Sequence, residues 1–140
     1  MKYPISDIID RLSILKLKTE RTDEENAIKE FRALWAELME RVGFDIFGLV
    51  EKQHHLSPSM RNKIKATKEP FDRLYKINGK IWDLEADIRG GKDGKLGLGE
   101  VGRRALAIRD LNKLRVAIKN EITSLAGEGF REVKINHASE

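Results

Sequence analysis

The residues best equipped for chemistry lie where polar side chains interrupt apolar stripes. From 71 to 88 the chain repeats Phe71, Leu74, Asn78, Ile81, Glu85 and Ile88 at spacings of three and four. Asn78 and Glu85 hold positions that the pattern reserves for apolar groups. A later stripe, Val101, Arg104, Ile108, Leu111, Arg115, Ile118, Ile122 and Leu125, is broken by Arg104 and Arg115. Removing a charge from water is costly unless it is paired and hydrogen-bonded. These four groups must therefore find partners or line a cavity.

Trp82, Arg109, Asn112 and Lys119 lie on the same two stretches. Arginine offers a planar fork to carboxylates and phosphates, and an aromatic ring gives a base or sugar a stacking face. The candidate ligand site is thus Asn78, Trp82, Glu85, Arg104, Arg109, Asn112, Arg115 and Lys119, with Tyr75 as a second stacking face. It suits a small anionic or nucleotide-like ligand. No catalytic residue, metal or cofactor is assigned to it. The competing reading is an ion-pair network that only fixes helix register or an oligomer interface.

Helices must position these groups, and the pattern predicts helices throughout. Ser6, Asp7 and Asp10 open a first helix, with Ser6 as cap and the acids at the positive end of the dipole. Ile8, Leu12 and Leu15 form its stripe, widened by Ile5, Ile9, Ile14 and Leu17, and the pattern fades at Glu20-Arg21. Thr22 and Glu25 have capping-box spacing, so a second helix is expected over 23–41, striped by Ala27, Phe31, Leu34, Leu38 and Val42 and stopped by Gly43. Residues 43–57 hold Phe44, Ile46, Phe47, Leu49 and Val50, too apolar for a solvated loop, and read as a short helix or lid. Ser57-Pro58 reads as a cap and a first-turn proline, and a helical pattern then runs to Arg89. Pro70 should kink it or start a new helix near Glu69. The glycine-rich stretch 90–99 reads as a flexible connector, followed by a helix from Glu100 to Ala126 that Gly127 and Gly129 stop. The tail 127–140 either docks through Phe130, Val133 and Ile135 or stays loose.

No strand-period run competes with this. The expectation is one all-α domain spanning 1–140, a four-helix-like bundle with a C-terminal antiparallel hairpin. A connector centred at residues 94–95 puts Glu85 opposite Arg104, Ile88 opposite Val101, Asn78 opposite Leu111 and Leu74 opposite Arg115.

Other motifs are weaker than they look. Gly97-Leu98-Gly99-Glu100-Val101-Gly102 reads G-x-G-x-x-G, but a dinucleotide site needs a preceding strand. Gly90 to Lys95 lacks the spacing and the Ser or Thr of a phosphate loop. Asp83, Glu85 and Asp87, with Glu37 and Glu40 as a second pair, suggest Mg²⁺ and a nucleotide pyrophosphohydrolase-like enzyme as an alternative, because such enzymes place acids three or four apart on facing helices. Arg89, Arg104 and Arg109 would compete with that metal. His54 and His55 are adjacent and would point apart on a helix, and His137 lies in the tail.

Composition narrows the classes. The 140 residues carry 27 Lys plus Arg against 23 Asp plus Glu, for a net charge of +4, and no cysteine. Without cysteine there is no disulfide, thiolate-bound metal or thiol catalysis. No apolar run reaches transmembrane length, and Met1-Lys2-Tyr3-Pro4 lacks an apolar signal region, so no membrane partner and a cytoplasmic location are expected. The halves hold 13 basic and 12 acidic, then 14 and 11 residues. Only Arg61, Lys63, Lys65 and Lys68 cluster, and without a recognition motif nucleic acid is disfavoured.

Three blocks carry a resemblance. Leu74-Tyr75-x-x-Asn78-x-x-Ile81-Trp82-x-x-Glu85-x-Asp87-Ile88-Arg89 resembles the signature of a mostly bacterial family of uncharacterised proteins, in which an Asn is followed by Leu-Trp, an acidic pair and Ile-Arg. A later block resembles Arg109-Asp110-x-Asn112-x-x-Arg115-x-x-x-Lys119-x-Glu121-Ile122, and an N-terminal one resembles Asp10-Arg11-x-Ser13-Ile14-Leu15-x-x-Lys18-x-Glu20-Arg21. The blocks come in the family's order and span most of the chain. Here Ala86 separates the two acids that the family holds adjacent, Asp110 and Asn112 replace its Asn-Asp, and the glycine-rich connector is local to this sequence. The resemblance implies a helical fold and a shared polar centre that Asp10, Arg11 and Lys18 reach from the first helix. It implies no activity. The combined expectation is a non-enzymatic homo-oligomer that binds a small anion, with the Mg²⁺-dependent enzyme and a helical protein-interaction module as alternatives.

Overall fold

A computed structural model describes residues 3–43, 57–89 and 93–129, and every regular element among them is helical. The four helices are α1 (Ile5–Arg21), α2 (Glu25–Val42), α3 (Pro58–Arg89) and α4 (Asp93–Gly129). Among the described residues, the all-α class and the count of four helices follow the sequence pattern.

Helix α1 is central and touches all three others, whereas α2 packs mainly on α1. Its apolar surface is wide because Ile5, Ile8, Ile9, Leu12, Leu15 and Leu17 must meet several neighbours at once. Ile8, Ile9 and Leu12 are fully buried and join Leu38 and Val42 of α2, Phe71 and Leu74 of α3, and Ile118 and Ile122 of α4 in one core. Helices α3 and α4 form the longest contact, the antiparallel hairpin. Where α1 crosses α3, the chains come close at Gly79. A Cβ built there would lie 3.6 Å from both Leu17 Cδ2 and Arg21 Nη2.

The caps differ in part from expectation. Ser6 does not cap α1: Pro4 precedes the helix with no side-chain bond, its carbonyl accepts the Asp7 and Ile8 amides, and Ser6 is buried. Thr22 does not cap α2 either. Its hydroxyl turns back to donate to the Lys18 carbonyl at 2.7 Å, closing α1, and accepts the Glu24 amide, so α2 begins at Glu25. A hydroxyl between two helices can serve either end, and here the C-terminal carbonyl wins. Gly43 ends α2 at φ 92° with its amide on Met39, a left-handed position that glycine takes without strain. Ser57 Oγ accepts the Met60 amide at 3.2 Å, as a cap before Pro58 should.

Pro70 starts no new helix: α3 runs through it for 32 residues. The flanking Ala66, Thr67, Phe71 and Leu74 are buried, so tertiary packing outweighs one lost backbone bond. The glycine-rich stretch is also shorter than expected, because helical structure resumes at Asp93 and is broken only at Gly97, φ 79°. Gly127 does not stop α4, which reaches Gly129. The expected helix or lid over 43–57 falls on 44–56, and the tail from 130 onward is similarly placed; both lie outside the described residues.

Candidate functional site

Three helices meet around one carboxylate. Asp10 lies on the buried side of α1 at 3% exposure. Arg115, from the broken stripe of α4, donates Nε to Asp10 Oδ1 at 3.0 Å and Oδ2 at 3.2 Å, and Nη2 to Oδ2. Asn78, from the broken stripe of α3, donates Nδ2 to Asp10 Oδ1 at 3.1 Å and to Ser13 Oγ at 2.8 Å. The Ser13 hydroxyl in turn donates to the Asp10 carbonyl at 2.7 Å. Asn78 thus uses both amide hydrogens, and the carboxylate accepts from two helices. The guanidinium is held above its already high pKa, first by the hydrogen bond it donates to Asp10, with burial acting against it.

A cleft of about 330 Å³ opens beside this network. Its polar lining is Lys18 from α1, Asn78, Trp82 and Glu85 from α3, and Asn112 and Arg115 from α4. Its apolar wall is Ile14, Leu17 and Ile81. The spacings explain the convergence. Asn78, Ile81, Trp82 and Glu85 stand three, four and seven apart, on one face of α3. Ile14, Leu17 and Lys18 do the same on α1.

The eight sequence candidates therefore separate. Asn78, Trp82, Glu85, Asn112 and Arg115 line the cleft together. Arg104 pairs with Glu100 on its own helix at 3.2 Å. Lys119 pairs with Asp7 of α1 at 2.8 Å. Arg109 is exposed beside Asp110 and lies on a different, open groove along α4 with Ala105, Ile108, Asn112 and Val116. Tyr75 faces α1, where its hydroxyl donates to Glu20 and Lys16 Nζ sits 4.2 Å over its ring. Of the three residues that the resemblance added, Asp10 and Lys18 reach the centre, whereas Arg11 is exposed over the Tyr3 ring at 4.2 Å.

The hairpin register also moves. Arg73 and Glu121 form a two-pronged pair, both bonds 2.9 Å. The simple fold-back puts Val116 opposite Arg73, more than a turn short of Glu121. That expectation centred the turn on a flexible connector, but α4 already starts at Asp93 and breaks at Gly97, which alters the geometry of the return.

Asp83, one of the acids weighed for Mg²⁺, pairs with Arg21 of α1, and the Asp87 side chain lies outside the described residues. Among the described residues no group of three or more His, Asp and Glu is arranged to hold a metal ion. The basic cluster is partly engaged: Lys63 Nζ donates to the Val42 carbonyl at 3.0 Å, and Lys68 pairs with Asp72 at 2.6 Å. The G-x-G-x-x-G stretch has no strand before it among the described residues. No described helix is long and apolar enough to cross a membrane. Comparisons of the chain with protein-family models, curated proteins and solved structures find no match.

Proposed function

We propose that this protein is a non-catalytic binding protein that takes a small anionic or nucleotide-like ligand in the cleft between α1, α3 and α4. The observation that carries this reading is the convergence of Lys18, Asn78, Trp82, Asn112 and Arg115 on one cavity. Helix bundles build ligand sites from such inward-facing side chains, and small-molecule sites combine an apolar wall with a few placed polar groups. Lys18 and Arg115 would take the anion, Trp82 would stack, and the two amides would set orientation. The same reading assigns a homo-oligomer, supported by exposed Leu106, Leu114 and Val116 along α4.

Titration against a panel of organic acids, sugar phosphates and nucleotides, read by Trp82 fluorescence in a Trp35→Phe background, tests it. At least one ligand should quench or shift the emission, with affinity at least tenfold weaker after Lys18→Ala. Binding unaffected by Lys18→Ala, or no binding by any member, would contradict the reading.

A further inference from the structure

We infer that the outer line of α4 is a homodimer interface, in which two copies of this chain lay their α4 helices antiparallel about a two-fold axis between residues 111 and 112. The inference rests on the homo-oligomer reading, independently of the cleft, and names the face, the orientation and the register.

Helix α4 has apolar residues on two sides. Ile118, Ile122 and Ala126 are buried in the core. Leu106, Leu114 and Val116 are more than half exposed, at 53%, 55% and 55%. Of the six large apolar side chains left exposed among the described residues, Leu98, Leu106, Leu114 and Val116 all stand on this one helix. A helix that is apolar beyond its core stripe has a second surface to cover.

The residues of that surface say what covers it. Arg103, Leu106, Asp110, Lys113, Ala117 and Asn120 recur at spacings of three and four, a single line along the helix, and all are exposed. The line is its own complement when reversed. About the stated axis, Asp110 meets Lys113 of the second copy, Leu106 meets Ala117, and Arg103 meets Asn120. Opposite charges, a large with a small apolar group, and a cation with an amide carbonyl fall together, twice each by symmetry. Leu114 and Val116 flank the line, one on each side, so the second helix covers both. Within one copy Asp110 is held only by its neighbour Arg109 at 3.4 Å, both side chains being well exposed.

Other arrangements fail on charge. Parallel helices in register set Asp110 against Asp110, Lys113 against Lys113 and Arg103 against Arg103, and like charges directly opposed repel. Sliding the antiparallel pair by one heptad in one direction sets Leu106 against Asp110 and Arg103 against Lys113. In the other direction it sets Asp110 against Asn120 and Lys113 against Ala117. Neither slide keeps an ion pair. Polar groups within a helix seam fix orientation and register at some cost in stability.

The test is sedimentation equilibrium of the full chain and three variants, from about 1 μM to about 1 mM, the range of small interfaces. Wild type should dimerise in that range. Asp110→Lys and Lys113→Asp should each weaken the dimer at least about tenfold, because each turns two attractions into two repulsions. The variant carrying both changes should recover wild-type affinity to within about threefold. Circular dichroism checks that every variant keeps the wild-type helical content. The chain has no cysteine, so introduced thiols report the geometry without competition. Under mild oxidation, Leu106→Cys combined with Ala117→Cys should give a covalent dimer. Leu106→Cys alone should not, since its two copies stand about 16 Å apart along the helices. A monomer throughout would overturn the homo-oligomer reading and this inference together. An oligomer indifferent to both charge reversals, one that the double swap does not restore, or one cross-linked by Leu106→Cys alone would overturn this interface and leave the homo-oligomer reading standing.

Discussion

At the residue scale, Asp10 ties the molecule together. It is nearly inaccessible, sits on the central helix and accepts from both α3 and α4. Removing it strands the Asn78 amide and the Arg115 guanidinium near the core, and a group left unpaired there costs more than its bond contributed. Asp10→Ala should lower the unfolding free energy by about 3 kcal/mol, measured by urea denaturation. A loss within about 0.5 kcal/mol, typical of surface substitutions, would show that the network is dispensable. Asn78 and Arg115 are legible in the sequence, because polar groups on an apolar stripe announce a buried partner. Their partner is not legible from periodicity. Asp10 stands 105 positions from Arg115, in the first turns of a helix where an acid has a sufficient local reason to occur. Arg109 and Lys119 show the converse. Each lies near the stripe, yet a half-turn of rotation or a nearer carboxylate takes it elsewhere, and spacing alone does not separate those cases.

At the element scale, the crossing of α1 over α3 sets the width of the cleft. Gly79 lies at that approach, and a Cβ built there would meet Leu17 and Arg21 at ordinary contact distance. Gly79→Ala should therefore be tolerated and, by helix propensity, raise stability by up to about 1 kcal/mol. Gly79→Leu should instead destabilise by about 1–3 kcal/mol through overpacking. Thermal unfolding of the two variants checks the pair, and a destabilised alanine variant would mean that the helices sit closer than described. Helix existence is legible from three- and four-residue spacing, whereas helix ends are less so. Thr22 has the sequence of a cap for α2 and acts at the end of α1. Pro70 has the chemistry of a breaker and lies within a continuous helix held by buried neighbours. In both cases a local rule yields to contacts that are distant in sequence.

At the scale of the whole molecule, a belt of ion pairs joins the helices outside the core. Arg21 meets Asp83, Lys119 meets Asp7 and Arg73 meets Glu121. The hydrogen bond from Arg73 holds the Glu121 carboxyl below the usual carboxylate range. A depressed folded value gives stability that is fully present above the ordinary glutamate value of about 4.3 and is lost as pH falls through the lower folded value. The pair is half-exposed, so its contribution stays under about 1 kcal/mol. Glu121→Gln should flatten part of the acid limb of a stability-versus-pH profile and leave the slope between pH 6 and 8 unchanged. An unchanged acid limb would show that the pair is solvent-screened to no effect. The hairpin as a whole is legible from two long stripes flanking glycines. Its register is not, because the length of the turn depends on how many residues of the glycine-rich stretch are helical.

The central claim is that the cleft at the junction of α1, α3 and α4 holds a small ligand. Native mass spectrometry of untagged protein, purified from cells without harsh washes, tests it most directly, with the Lys18→Ala, Trp82→Ala double variant beside it. The account predicts an oligomer whose subunits carry extra mass that denaturation releases, and a double variant of unchanged helical content that arrives without it. A bare wild-type protein that stays bare with the organic acid, sugar phosphate and nucleotide panel present, or an extra mass retained in full by the double variant, would contradict it.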